Sequence, residues 1–283
     1  MGNRLSRMAV IGVGLASLAA CAAPQDFRTR TGAANSTVTA ATATPEDVRA
    51  EIDFGAAVAA RILGRHPLDR DEGLARYIAL VGNAVALNDP RGEIQFRFAV
   101  LASDTVNAYA APGGYVFVTR GAIAQMRDEA ELAAVLAHEI THVSERHIVR
   151  ELRIAGRDDD STAGLARLIG GATEAARAAL AQAVDAAVTI LFDKGLKQGD
   201  EYAADRGGAQ HLVATGYDPT ALRRYLARVA ALKGERVATI TGTHPPFAQR
   251  VHALDTLGTQ LGFETLKYPR VQERFQRYVR RPG

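Results

Sequence analysis

Residues 134–147, AVLAHEITHVSERH, place three histidines and two glutamates in a stretch whose other positions suit burial. Leu132, Val135, Leu136, Ile140 and Val143 recur at spacings of three and four, the period of a helix with an apolar face. On that helix His138 and His142 lie about 40° apart around the axis and one turn apart along it, so both imidazoles can reach one ion. Glu139 projects beside them, placed to accept a proton from a metal-bound water and not to bind the ion itself. Zinc brings the pKa of such a water to about 7, low enough for a carboxylate to finish the deprotonation. A catalytic zinc also needs a third protein ligand and an open fourth position. The fold must therefore carry a distant donor to this helix.

Several residues compete for that place. Three and six residues past His142 stand Glu145 and Ile148, where a metzincin would need glycine and histidine, so that arrangement is excluded. His147 points about 140° away from His142 on a regular helix and is a poor ligand, better suited as a partner on the helix flank. The segment GDEYAADRGG, 199–208, offers the best candidate: Glu201 and Asp205 sit one turn apart on a predicted helix whose small residues permit close packing. Glu201 would complete a His-His-Glu set and Asp205 could orient a ligand imidazole; an exposed acidic helix face is the alternative. Asp158, Asp159 and Asp160 are also acidic, but a run of like charges in a loop reads as solvated. In GTHPPFAQR, 242–250, the prolines stiffen the loop and can aim His244 into a cleft, to stabilise an oxyanion or take the fourth metal position. Arg250 follows on the next helix; a structural turn histidine is the other reading of His244.

Around these motifs the pattern predicts a mostly helical α+β chain. Thr44-Pro45-Glu46-Asp47 announces a helix, and a second is expected over about 69–87. Ile94, Phe96, Phe98 and Val100 alternate with Gln95, Arg97 and Ala99, as in a half-buried strand. Pro112-Gly113-Gly114 then turns between short strands at 106–110 and 115–119. Residues 163–192 are mostly alanine, leucine and valine but contain Arg167, Glu174, Arg177 and Asp185, which suggests a long amphipathic helix over the domain and not a membrane span. Further helices are predicted at about 200–214, 219–232 and 247–258, and the basic end, Arg277 to Arg281, reads as a solvated tail.

The N-terminus reads as an export signal: Arg4 and Arg7 precede an apolar run, 8–20, too short to span a bilayer. Leu18-Ala19-Ala20-Cys21 resembles the bacterial lipobox, in which the cysteine is acylated, and Cys21 is the one cysteine of the chain. Met1 to Ser6 also fits an N-myristoylation pattern, which explains neither the apolar run nor the cysteine. Ala22 in place of aspartate makes outer-membrane sorting the expectation by resemblance to lipoproteins. Residues 22–43 are too poor in large apolar groups to offset chain entropy and read as a tether. The formal charge of +3 falls to +1 without Arg4 and Arg7, which gives no electrostatic case for nucleic acid. With 47% hydrophobic and 23% charged residues over 283 positions, one well-buried core is expected. The implied division is a signal peptide (1–20), an acylated tether (21–44), a metal-binding domain (45–265) and a basic tail (266–283).

Four motifs, NAYAAPGGYVFVTRG (107–121), AHEITHVSERH (137–147), DEYAADRGG (200–208) and THPPFAQR (243–250), together resemble the family-48 zinc metallopeptidases. This gluzincin group contains the CAAX prenyl protease, the HtpX heat-shock protease, mitochondrial Oma proteases and periplasmic lipoprotein proteases. The resemblance covers roughly residues 45 to 260 and implies a zincin-like domain with a small three-stranded sheet beside the HExxH helix. It implies one Zn2+ held by His138, His142 and Glu201, Glu139 as general base, Asp205 behind a ligand, and His244 and Arg250 near the active site. It also implies that the strand Asn107, Ala108, Tyr109, Ala110 pairs with an extended substrate. The expected protein is a lipid-tethered endopeptidase of the cell envelope, facing the periplasm and acting on unfolded or misassembled envelope proteins, with the long alanine-rich helix as a cover. A zinc-bound chaperone or assembly lipoprotein with latent proteolysis is the alternative, and the intact Glu139 favours the enzyme.

Overall fold

In a computed structural model the described residues are 44–152, 165–166, 169–171 and 173–279, all within the unit Val38–Gly283. The expected signal peptide, Cys21, the expected tether before Thr44 and Asp158 to Asp160 lie outside them. Helix α1, Pro45–Arg65, starts as its sequence predicts: Thr44 Oγ1 accepts the Asp47 N–H at 3.2 Å and Asp47 accepts the Thr44 N–H at 3.0 Å. Asp71 caps α2, Glu72–Ala86, by accepting the Leu74 N–H at 2.9 Å.

Three strands follow: β1 Arg97–Leu101, β2 Ala108–Ala111 and β3 Tyr115–Thr119. The order is β1-β3-β2, with β1 parallel to β3 and β2 antiparallel to it. β3 is therefore central, and β2 keeps a free edge. The strand predicted from Ile94 begins later, at Arg97, and β2 is shifted toward Ala111. Between β2 and β3 the turn Pro112–Gly114 takes Gly113 to φ 72°, and a Cβ there would lie 2.5 Å from Ile52 Cα. The turn is thus pressed against α1, which only glycine permits. Val100, Ala110, Val116 and Val118 bury on one sheet face, Leu101, Tyr109, Ala111 and Phe117 on the other.

Helix α3, Arg120–Gln125, leads to α4, Glu129–Ser144, whose residues from Glu129 to Val143 are all buried. A helix enclosed on every side is a central element, and the large core closes around it. Then come α5 His147–Glu151, α6 Glu174–Thr189, α7 Gln198–Thr215, α8 Ala221–Val229, α9 Glu235–Thr243, α10 Phe247–Leu261 and α11 Gln272–Val279. A second core joins α1, the outer sheet face, α5 and the buried Val184, Ala187 and Val188 of α6.

Two expectations are corrected. The helix predicted over 163–192 is interrupted: residues 169–170 are helical, 171 is not, and Thr173 caps a new start by accepting the Ala176 N–H at 3.2 Å. The Gly170-Gly171 pair accounts for the break. From Thr189 the coil widens into a π turn, Ile190–Lys194. By length and composition Glu174–Lys194 could cross a membrane, while part of it is buried in the second core. The basic tail expected from 266 is, over Gln272–Val279, a packed helix: Phe275 is buried, Tyr278 stacks on Tyr77 at 4.4 Å, and Arg274 bonds Glu129.

Candidate metal centre

Close approach of two helices builds the centre. A Cβ on Gly208 would lie 3.1 Å from His138 N, and one on Gly207 2.5 Å from Thr141 Cγ2, so α7 rests directly on α4. This contact brings Glu201 to the histidine pair. His138 Nε2 and His142 Nε2 are 3.0 Å apart, and Glu201 lies 3.7 Å from the first and 3.6 Å from the second. One donor atom from each of the three falls within 4.8 Å of the others, and all three residues are buried.

The outer nitrogens are already engaged. His138 Nδ1 faces Asp205 Oδ1 at 3.0 Å, and His142 Nδ1 faces His147 Nδ1 at 2.8 Å. Arg250 forks onto Asp205 with Nε at 2.9 Å and Nη2 at 2.6 Å, and its Nη1 stands 3.5 Å from Glu201 Oε2. Glu201 Oε2 is buried and has no hydrogen-bond partner. Two neutral-imidazole nitrogens turned toward one another and a buried carboxylate oxygen without a partner, all in one enclosed space, are the donor set that suits zinc, so the residues fit that ion.

Residues 72–257 match the peptidase family M48. The chain belongs to this family. Among curated relatives it is 33% identical over 168 residues to the beta-barrel assembly-enhancing protease of Yersinia pestis, covering 58% of this chain and 34% of the relative. The protein of the same name in Escherichia coli strain K12 is 32% identical over 206 residues, 69% of this chain and 41% of the relative. The metalloprotease YcaL of the same organism is 24% identical over 203 residues, 69% of this chain and 75% of the relative. The chain thus spans about a third to two fifths of the first two relatives' length.

In this M48 chain the electrostatics keep the imidazoles neutral. Burial, then the neighbouring Arg250, lowers His138 despite Asp205; burial and the nearby histidines hold His142 well below the usual range. Neutral imidazole is the ligand form. Burial lifts Glu201 to about 8, against Arg250 and with Asp205 adding. Burial likewise pushes Glu139 to about 8, with Glu201 adding and Arg250 opposing. Burial alone would raise Asp205, but Arg250 and His138 outweigh it and hold that carboxyl low.

Two recesses flank Glu139. One lies between Ala108 to Ala110 of β2 and Ile190, Leu191, Gly195 and Leu196 of the π turn and its exit. The other runs past Asn107 and His138 toward Val135, Leu222, Tyr225 and Ile240. His244 borders both, with Nε2 3.7 Å from Glu201 and Nδ1 3.0 Å from Thr243 Oγ1. It lies outside the mutually close donor set.

Asn107, His138, Glu139, His142, Glu201, Asp205, His244 and Arg250 are therefore gathered at one place. His147 arrives by a route that sequence reasoning missed. α4 stops at Ser144, Arg146 takes the left-handed φ of 54°, and the chain doubles back so that His147 meets the outer side of His142. The one signal for that break is the end of the apolar period at Val143. The apolar wall of the π turn had no signal beyond its composition.

Proposed function

We propose that this chain is a zinc metalloendopeptidase that hydrolyses peptide bonds of misfolded or misassembled cell-envelope proteins. In this reading a lipid on Cys21 tethers it to the outer membrane, facing the periplasm. The convergence of His138, His142 and Glu201, with Glu139 beside them and outside the donor set, carries the proteolytic part. The names of the relatives support the envelope substrates.

A zinc ion held by His138, His142 and Glu201 would supply a Lewis acid for the scissile carbonyl and acidify the attacking water. Glu139, beside the donor set and bordering both recesses, is placed to accept that water's proton and pass it to the leaving amine. Asp205 fixes His138 through Nδ1, and His147 does the same for His142, so each Nε2 faces inward. Arg250 acts through Asp205 and Glu201. His244 presents Nε2 to the cleft, where it stabilises the negative charge that develops on the carbonyl oxygen. The free edge of β2 receives the substrate as an added strand.

The deciding experiment pairs zinc analysis with cleavage of an unfolded protein. Glu139→Gln is expected to retain the metal and lose at least about 100-fold in rate; equal cleavage by variant and parent would sink the mechanism. If neither cuts while the parent still promotes assembly of an envelope protein, the chaperone alternative replaces it.

A further inference from the structure

Among the described residues only Arg146 and Val271 take a positive φ without being glycine. Arg146, at φ 54° and ψ 36°, forms the reversal that ends α4 and lays the buried His147 against His142. A residue with a side chain is disfavoured in that left-handed region, so its surroundings must hold it there. Glu51 of α1 is the group in contact. It is wholly buried, and its Oε2 accepts Arg146 Nε at 3.1 Å. Its Oε1 accepts Arg91 Nη1 at 2.8 Å and the Gly113 N–H at 3.3 Å. Arg91 Nη1 also donates to the Val143 carbonyl at 3.4 Å, in the last turn of α4, while Arg91 Nε bonds Glu93 at 2.8 Å. One carboxylate of α1 thus carries two guanidiniums, and both act on the end of the helix that bears His138 and His142.

We propose that Glu51 is a positioning residue for the metal centre. By anchoring Arg146 it fixes the reversal after α4, and through that reversal the contact of His147 Nδ1 with His142 Nδ1 that turns His142 Nε2 inward. His147 is held at its far side by Glu145, 3.1 Å from Nε2, so a shift of the backbone at Arg146 reaches the ligand imidazole without slack between. The inference rests on the reading of His142 as a zinc ligand. Answering the charge of buried Arg91 would ask nothing of Arg146; the second bond, from Oε2, goes to the residue whose backbone is strained.

Glycine enters the left-handed region freely, so position 146 separates the backbone role from the ion pair. Zinc affinity of the full chain is measured by competition with a chelator. Glu51→Gln and Arg146→Ala are each expected to weaken it about tenfold, whereas Arg146→Gly, which also lacks the pair, stays within about twofold of the parent. In the Arg146→Gly background Glu51→Gln should cost little further affinity, although melting stays depressed because Arg91 has still lost its partner. With cobalt in place of zinc, the visible absorption should change in Glu51→Gln and return toward the parental form in the double variant. Should Glu51→Gln not fold, the contrast between Arg146→Gly and Arg146→Ala decides alone. If Arg146→Gly loses zinc as far as Arg146→Ala, or Glu51→Gln costs the same affinity in both backgrounds, Glu51 only stabilises the fold: the inference is overturned and the zinc reading stands. A parent that binds no zinc overturns both.

Discussion

Arg250 is almost wholly buried, yet a guanidinium stays charged at any depth, so its neighbours must answer that charge. Asp205 does so through two bonds, and Glu201 lies in ion-pair range. Arg250→Met keeps much of the bulk but leaves two buried carboxylates without their cation. Breaking such a pair costs about 3–5 kcal/mol. Urea unfolding should register that loss, and zinc titration should show weaker binding as Asp205 ceases to hold His138. Unchanged stability and affinity would remove Arg250 from this role. Arg250→Lys is expected to rescue poorly, since one ammonium cannot reproduce the two-armed contact with Asp205.

At the scale of elements, local patterns were legible and long-range placements were not. The period through Leu132 to Val143 announces α4, because both its ligands and its core contacts repeat along one helix. The alternation at 94–100 and the Pro112-Gly113-Gly114 turn announce a sheet, but nothing in either says that β1 pairs parallel to β3 and not to β2. Gly207 and Gly208 hint at close packing, and their contact with α4 is what converts Glu201 from an acidic helix residue into a neighbour of His138. α9 is different. Its sequence, ERVATITGT, is rich in β-branched residues that disfavour helix, and buried Val237 and Ile240 hold it by tertiary packing. α11 is short and rich in charge, and Phe275, Tyr278 and Val279, three and four apart, mark its inner face; its anchors, Tyr77 and Glu129, are far away in sequence.

Across the whole molecule Glu129 ties distant parts together. It accepts Tyr77 from α2 at 2.8 Å, Tyr217 beyond α7 at 2.6 Å, and Arg274 from α11. Burial alone would raise its carboxyl, but the bonds from Arg274, Tyr217 and Tyr77 prevail and hold it below the ordinary 4.5. The unfolded chain thus takes up this proton first as pH falls. The stabilisation is complete above the unfolded value and disappears as pH drops through the lower folded one. Glu129→Gln should be less stable than the parent at neutral pH and show a flatter stability curve between about pH 5 and 3. Parallel curves from urea unfolding in that window would mean that Glu129 plays no such part.

The three residues proposed to hold the metal come from α4 and α7, which α5 and α6 separate along the chain. An ion that grips all three can do so only when those helices meet, so its binding energy is also folding energy. Mass action makes this about 2.7 kcal/mol at a hundred times the Kd. The fold is then a gauge of metal supply: where zinc is scarce, the chain opens more often and becomes prey to other proteases. A melting temperature that climbs with buffered free zinc would display the coupling; one indifferent to zinc would deny it.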